Sequence, residues 1–376
     1  MKFANFSQVL DFQKKSKMKA GEGSSSGTFP FFTSSPILSK YSESFQFKSP
    51  SIIFGTGGSA SVHVCDKPFS VSTDCLVAQI KPELSKKFVI KFIYYYLSKN
   101  IWILEKGFKG AGLRHISKSY IDNIAIPELP FEDQKRIVKI LDAADALRQK
   151  RTQAITLLDD YLKSVFLEMF GDPINNPKGW KREKLGKLCD VKGGKRIPKG
   201  FNLVKDDTGY PYIKAGNIKK GKILLKDLEY LTCELREKLK RYTVEEGDVC
   251  ITVVGANIGD IGIVPECLHM ANLTENANKL LIKSKKELNN TYLAYYLMMD
   301  FVQNELVSST RASGVPKLAL FRIQQIDLLL PSINFQNQFA QILNKTESLK
   351  QRMLIQSQEL ETQFQALMQK AFKGEL

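Results

Sequence analysis

The stretch Pro127–Glu–Leu–Pro–Phe–Glu–Asp–Gln134–Lys–Arg–Ile137–Val–Lys–Ile140–Leu141 returns later in the chain. Its charges are altered and its apolar spacing is kept, as Pro331–Ser–Ile–Asn–Phe–Gln336–Asn–Gln–Phe339–Ala–Gln–Ile342–Leu343. From Gln134 and Gln336 onward the two copies align at a constant offset of 202 without a gap. Pro127 and Pro130 break the chain ahead of the first helix, and Pro331 stands at the same place ahead of the second. In the first copy Glu132 and Asp133 fall in the first helical turn, where acids complement the helix dipole. Each then runs on as a long amphipathic helix. A chain that repeats a globular unit followed by a long helix holds two similar heads at a set separation.

The outlying segments divide accordingly. Residues 1–126 read as a first α/β (α+β) head, 127–171 as a first long helix, 172–333 as a second head and 334–376 as a second long helix. Short apolar runs at 29–33, 51–55, 75–80 and 121–126 suggest strands in head one, and 88–102 has helical spacing. Head two answers them at 211–214, 249–255, 295–297 and 323–330. If the second helix folds back along the first, the pair is antiparallel and a pseudo-twofold axis relates the halves.

A seam taken alternately three and four residues apart gives Ile137, Ile140, Ala144, Leu147, Arg151, Ile155, Leu158, Leu162, Val165 and Met169 on the first helix. On the second it gives Phe339, Ile342, Thr346, Leu349, Met353, Gln356, Leu360, Phe364, Leu367 and Ala371. This is coiled-coil spacing over about five heptads. A helix of that length spans roughly 57 Å, between one and two turns of B-DNA.

Charge names the class of partner. The 376 residues carry a formal charge of +16, with a pI near 9.4. Such an excess points to a polyanion, nucleic acid first. No run approaches the roughly 18 apolar residues of a membrane span, and the first residues lack a signal-peptide core. The expected location is therefore cytoplasmic. Six scattered cysteines without a C-x-x-C read as buried thiols, and no metal site is expected.

Half of the excess charge lies in one place. Residues 186–242 hold fifteen Lys and Arg against seven Asp and Glu. Lys192, Lys195, Arg196 and Lys199 sit among glycines in a basic loop, and Lys214, Asn217, Lys219 and Lys220 follow a strand. Arg196 is the type that pairs with guanine in bidentate fashion and Asn217 the type that pairs with adenine. Arg311, in a polar loop ahead of the last strand of head two, answers Lys109, Arg114 and His115 in head one. Head one adds Ser34, Ser35 and Lys40. Catalysis looks absent: there is no phosphate-binding G-x-x-x-x-G-K-[ST], no aminomethyltransferase motif and no catalytic constellation around the three histidines.

The order of head, long helix, head, long helix now combines with four motifs. These are Pro127–x–x–Pro–x–x–x–Gln134, Leu330–Pro331…Gln336–Asn–Gln–Phe–Ala, Gly171–Asp–Pro173…Gly179–Trp180 and Pro211–Tyr–Ile–Lys–Ala–Gly–Asn217. Together they resemble the specificity subunit of a type I restriction-modification system, over nearly the whole chain. Head one departs from that pattern in lacking the Trp that opens head two at Trp180. The resemblance implies a noncatalytic subunit of a restriction endonuclease and adenine DNA methyltransferase complex. Each head would be a target-recognition domain reading one half of a bipartite, asymmetric site, and the helices would set the unread spacer. The implied partners are double-stranded DNA, two methyltransferase subunits docked on the helices and a motor-endonuclease subunit. No cofactor is expected in this chain; the partners would use S-adenosylmethionine, ATP and Mg. The competing readings are a DNA-binding coiled-coil adaptor outside restriction-modification, and a fused nuclease or methyltransferase.

Overall fold

A computed structural model describes residues 2–48, 50–308 and 316–376. The chain forms two compact units, residues 1–154 with 353–376, and residues 155–352. Each contains one α/β head and a stretch of both long helices, which run Phe131–Phe170 and Ile333–Lys373. Among the described residues no helix is long and apolar enough to cross a membrane.

In the first unit an antiparallel sheet carries strands in the order Leu10–Phe12, Cys75–Ile80, Ser51–Gly55, Ser61–Cys65. All five residues of Ser51–Gly55 are buried, as a short unbroken apolar run requires of a central strand. A smaller sheet orders Tyr41–Ser42, Phe29–Phe32 and Ser70–Val71. The second unit repeats the plan with a six-stranded sheet, Cys189–Gly193, Ala277–Ile282, Val249–Thr252, Ile261–Ile263, Gly221–Ile223, Ile218–Lys219, and a smaller one of Glu229–Tyr230, Pro211–Ile213 and Asn272–Leu273. The two strands beyond Ile261–Ile263 are the main addition. The fold is thus one mixed α/β unit built twice.

Neither closing run is a continuous strand. Residues 121–126 divide into the helix Lys118–Asp122 and the strand Ala125–Glu128, because Ser117 caps the helix by accepting from the Tyr120 amide at 3.2 Å. Residues 323–330 divide likewise into Leu320–Gln324 and Asp327–Leu330. The strand in each head returns to pair with the head's first strand, Lys2–Asn5 or Lys181–Lys184.

The duplicated glutamine has a structural cause. Gln134 is fully buried; its Oε1 accepts from the Val89 amide at 2.9 Å, and its Nε2 donates to the carbonyls of Lys87 and Leu129, both at 2.9 Å. Gln336 repeats this with the Asn289 amide at 2.9 Å and the carbonyls of Glu287 and Pro331 at 2.9 and 2.8 Å. One acceptor and two donors on one group are what a primary amide supplies. Each long helix is therefore pinned at its start to the beginning of a head helix, Ile90–Lys99 or Asn290–Leu297.

Within each unit the two helix segments run antiparallel. In the first, Arg136 donates to the Leu376 carbonyl at 2.8 Å and Arg148 pairs with Glu361. In the second, Asp159 pairs with Lys350 and the Phe166 and Phe339 rings meet at 5.5 Å. Ile137, Leu162, Phe339, Met353 and Phe364 are buried in these seams, while Ile140, Leu158, Val165, Ile342, Leu360 and Leu367 lie partly buried at their edges.

Three seam residues are misplaced by the sequence: Leu147, Leu349 and Gln356 are all exposed. Leu147 is 57% exposed and Leu349 is 40% exposed. The buried face instead passes through Leu141 and Arg148 on the first helix, and through Leu343 and Lys350, both partly buried, on the second. Arg148 holds its position by pairing with Asp145 and Glu361 and by stacking over the Phe364 ring, 4.3 Å from its centroid. Its aliphatic stem and flat guanidinium fill space that Leu147 would have filled. Leu141→Ala is accordingly expected to cost about 3 kcal/mol, within the range for a buried leucine. Leu147→Ala should change stability by less than about 0.5 kcal/mol. Urea midpoints of the two variants decide this, and equal losses would restore Leu147 to the seam.

Candidate nucleic-acid interface

The loops at one end of the main sheet in head one are tied into a single platform. The Ser34 hydroxyl donates to the Asp74 carbonyl at 2.8 Å, and Thr56 Oγ1 donates to the same carbonyl at 2.9 Å. The Ser34 and Ser35 carbonyls are held in turn by the Ser61 hydroxyl at 3.1 Å and by His63 Nε2 at 2.9 Å. Burial holds the His63 imidazole below its ordinary pKa, against the opposing effect of that backbone hydrogen bond. The hairpin of Phe108–Lys109 and His115–Ile116 closes the other side. The Gly58 amide donates to the Arg114 carbonyl at 3.0 Å, the Ile116 amide to the Thr56 carbonyl at 3.1 Å, and His115 Nδ1 to that carbonyl at 3.2 Å. Gly55 is required here, since a Cβ would fall 2.8 Å from the Ser34 Cα.

This platform brings together Ser34, Ser35, Lys109, Arg114 and His115, with the last three exposed. Lys40 is not among them. Its ammonium donates to the Ala20 carbonyl at 2.6 Å and fastens the 20–24 turn, so its charge serves the fold.

Head two builds the same frame from different residues. The Gly255 amide donates to the Pro316 carbonyl, the Leu318 amide to the Val253 carbonyl, and Val254 bridges Lys317. These contacts match those of head one: residues 316–318 stand at the offset of 202 from 114–116, already seen in the helices, while the facing loop 253–255 answers 56–58 at an offset of 197. Lys317, exposed, thereby occupies the place of His115. Sequence reasoning passed over Lys317, although extending the offset backward from Gln336 marks it. Arg311 lies outside the described residues.

The basic loop of head two is anchored firmly. The Gly194 amide donates to the Ala277 carbonyl at 3.1 Å and the Lys195 amide to the Leu273 carbonyl at 2.9 Å. Tyr212 donates its hydroxyl to the Lys195 carbonyl at 3.0 Å. No side chain fits at Gly194, where a Cβ would lie 2.1 Å from the Thr274 carbonyl oxygen. From this base Arg196 Nε donates to Glu275 Oε1 at 2.7 Å, and Thr274 Oγ1 to Glu275 Oε2 at 3.1 Å. Burial pushes the Glu275 carboxyl up, but the hydrogen bonds from Arg196, its own backbone and Thr274 outweigh this and hold it below the usual carboxylate range. Lys192, Lys195 and Lys199 are exposed along the same loop.

The remaining cations separate from this group. Ile218–Lys219 and Gly221–Ile223 form the edge of the six-stranded sheet opposite to Cys189–Gly193. Lys219 and Lys220 stand there, Lys220 with φ +49° at the hairpin turn. Lys214 is ion-paired to Glu229 at 2.8 Å. Asn217 does not reach outward at all. It is 5% exposed, its Oδ1 accepts from the Lys214 amide at 3.0 Å, and its Nδ2 donates to the carbonyls of Leu224 and Lys226, both at 3.3 Å. Its amide braces a turn and is not presented to an adenine, contrary to the sequence expectation. Glu275 was invisible to motif reasoning because its partner lies 79 residues away.

Comparison with known proteins places this geometry. The model of the type I restriction modification DNA specificity domain matches residues 1–157 and again 177–361. The MjaVIII specificity subunit of Methanocaldococcus jannaschii is 24% identical over 274 residues, 69% of this chain and 63% of that protein. The EcoBI specificity subunit of Escherichia coli is 22% identical over 357 residues, 86% of this chain and 73% of that one. The chain thus spans somewhat under two thirds of the archaeal relative. Among solved structures, the S subunit of a type I restriction-modification system from M. genitalium matches with a TM-score of 0.64 at 16% identity, covering 98% of this chain and 95% of the other. A chain from a study of type I complex assembly and conformational transition matches at 0.57 and 17%, over 100% and 98%. At such identities the structures speak to the fold.

Proposed function

Since the chain belongs to the family of type I restriction modification DNA specificity domains, we propose that it reads a bipartite, asymmetric duplex sequence and catalyses nothing by itself. Each head reads one half-site through its loop platform. The long helices set the unread spacer and dock two methyltransferase subunits, and a motor-endonuclease subunit joins for cleavage. S-adenosylmethionine, ATP and Mg belong to those partners.

The observation that carries the reading is the pair of platforms. One backbone frame appears twice and presents His115 with Lys109 and Arg114 in one head, Lys317 in the other. Identical framing with different side chains suits two readers of different half-sites. Phosphate contacts by the surrounding lysines supply affinity, and the groups at the loop tips supply sequence preference.

Salt dependence is the first test. With six or more phosphates contacted, duplex affinity should fall about a thousandfold or more between about 50 and 200 mM salt. Replacing Lys192, Lys195 and Lys199 together by Ala should reduce the slope of log K against log salt by about 2.7, or 0.9 per contact. Fluorescence anisotropy with a labelled duplex measures both. Affinity indifferent to salt would point to an adaptor that does not hold the phosphate backbone. The spacer is tested by removing one heptad from residues 137–169: the gap between half-sites should change and the half-site letters should not.

A further inference from the structure

We infer that Arg196 reads one guanine of the half-site taken by head two, end-on through Nη1 and Nη2, and that Glu275 is the positioning residue that makes this readout selective. The inference rests on the DNA-reading function proposed above and assigns one of its contacts.

Three observations support it. First, the backbone under Arg196 is immobilised: Lys195 is hydrogen-bonded through both its amide and its carbonyl, and Gly194 packs directly on the Thr274 and Leu273 carbonyls. Second, the guanidinium is oriented. Nε is committed to Glu275 Oε1 at 2.7 Å, and Glu275 Oε2 is itself held by Thr274. Third, the Arg196 side chain is nevertheless 79% exposed. An ion pair so exposed contributes little to stability. Its physical consequence is to hold a planar fork in one attitude.

That attitude selects a ligand. With Nε occupied, the side edge of the guanidinium formed by Nε and one Nη is spent. The end edge keeps two parallel donors at the spacing that matches O6 and N7 of guanine in the major groove. A phosphate would accept from the same edge but would not require it to be aimed. The lysines of this loop carry a flexible point charge and are suited to phosphates. Arg196 differs from them in being braced, and a braced donor loses less conformational entropy on pairing than a free one.

The test uses the full-length chain and a library of duplexes randomised across both half-sites, with enriched sequences read after selection. The unmodified chain should enrich a bipartite motif. Arg196→Lys keeps the charge and removes the fork, and should reduce preference at a single G·C pair in one half-site by about tenfold or more. Glu275→Gln keeps the shape but removes the charge that strengthens the bond from Nε, loosening the guanidinium, and should relax the same pair by a smaller factor. All other positions should be unaffected, and both variants should melt at the temperature of the unmodified chain. Uniform weakening across the motif in Arg196→Lys would make the residue a phosphate contact and overturn the inference. So would relaxation at an A·T pair, or an effect of Glu275→Gln at a different position from that of Arg196→Lys. Failure of the unmodified chain to enrich any motif would instead overturn sequence reading itself, and this contact with it.

Discussion

Phe166→Ala is expected to lower the stability of the second unit by about 4 kcal/mol, in the range for emptying a buried phenylalanine site. Phe166 is fully buried, and its ring meets those of Phe170, Tyr292, Tyr295, Tyr296 and Phe339 at centroid distances of 4.9 to 6.4 Å. Those rings come from both long helices and from Asn290–Leu297, so one cavity loosens the head and the helix pair together. Neighbouring rings of this size cannot close the space without leaving their rotamers, and the void therefore persists. The urea midpoint of the full chain measures the loss. Leu167→Ala, one residue on and 48% exposed, should change it by less than about 0.5 kcal/mol. Similar losses in the two variants would mean that the aromatic cluster is not the joint between head and helices.

Gln336→Leu should cost about 3 kcal/mol despite keeping the volume of the side chain. It strands the Asn289 amide and the Glu287 and Pro331 carbonyls in a site closed to water, and buried groups left without partners are costly. Gln134→Leu should do the same in the first unit. The two losses should be close to additive, because each amide bonds only groups of its own unit. Thermal melts of the single and double variants test this. A loss below about 1 kcal/mol would show that water enters and satisfies the freed groups.

These two sites mark how far the sequence could be read. The glutamines stood out because they repeat at a constant offset, and a repeat is visible without knowing what it does. Their partners were hidden: they are backbone groups, four of the six lying 45 to 49 residues upstream, and backbone carries no sequence signal. Lys109, Arg114 and His115 were legible as one exposed polar loop. That Ser34 and Thr56 lie beside them was not, since strands distant in sequence bring those loops together.

The misread residues share one physical origin. Asn217 follows a strand in a basic segment, as a base-reading amide would, yet the same amide is equally suited to closing a turn. Lys40 has the composition of a surface cation, yet its ammonium is bonded to the Ala20 carbonyl. A polar side chain advertises its capacity for hydrogen bonds, and only its surroundings decide whether that capacity is spent inside.

By itself the sequence determined that the chain is one unit made twice, that each copy ends in a helix longer than any head could use, and that the surface is strongly cationic. Those properties are local or additive: a 3.5-residue period, a fixed offset and a sum of charges. The tertiary structure decided which face of each helix is the seam. Where apolar residues adjoin, as at Ile140 with Leu141, either satisfies the period, and packing in the folded unit buries Leu141 fully and Ile140 only in part. It also decided which polar groups remain outward. Arg196 stays exposed and aimed while Asn217 turns in, because Glu275 and the 224–226 turn, both remote or irregular in sequence, reach one and enclose the other.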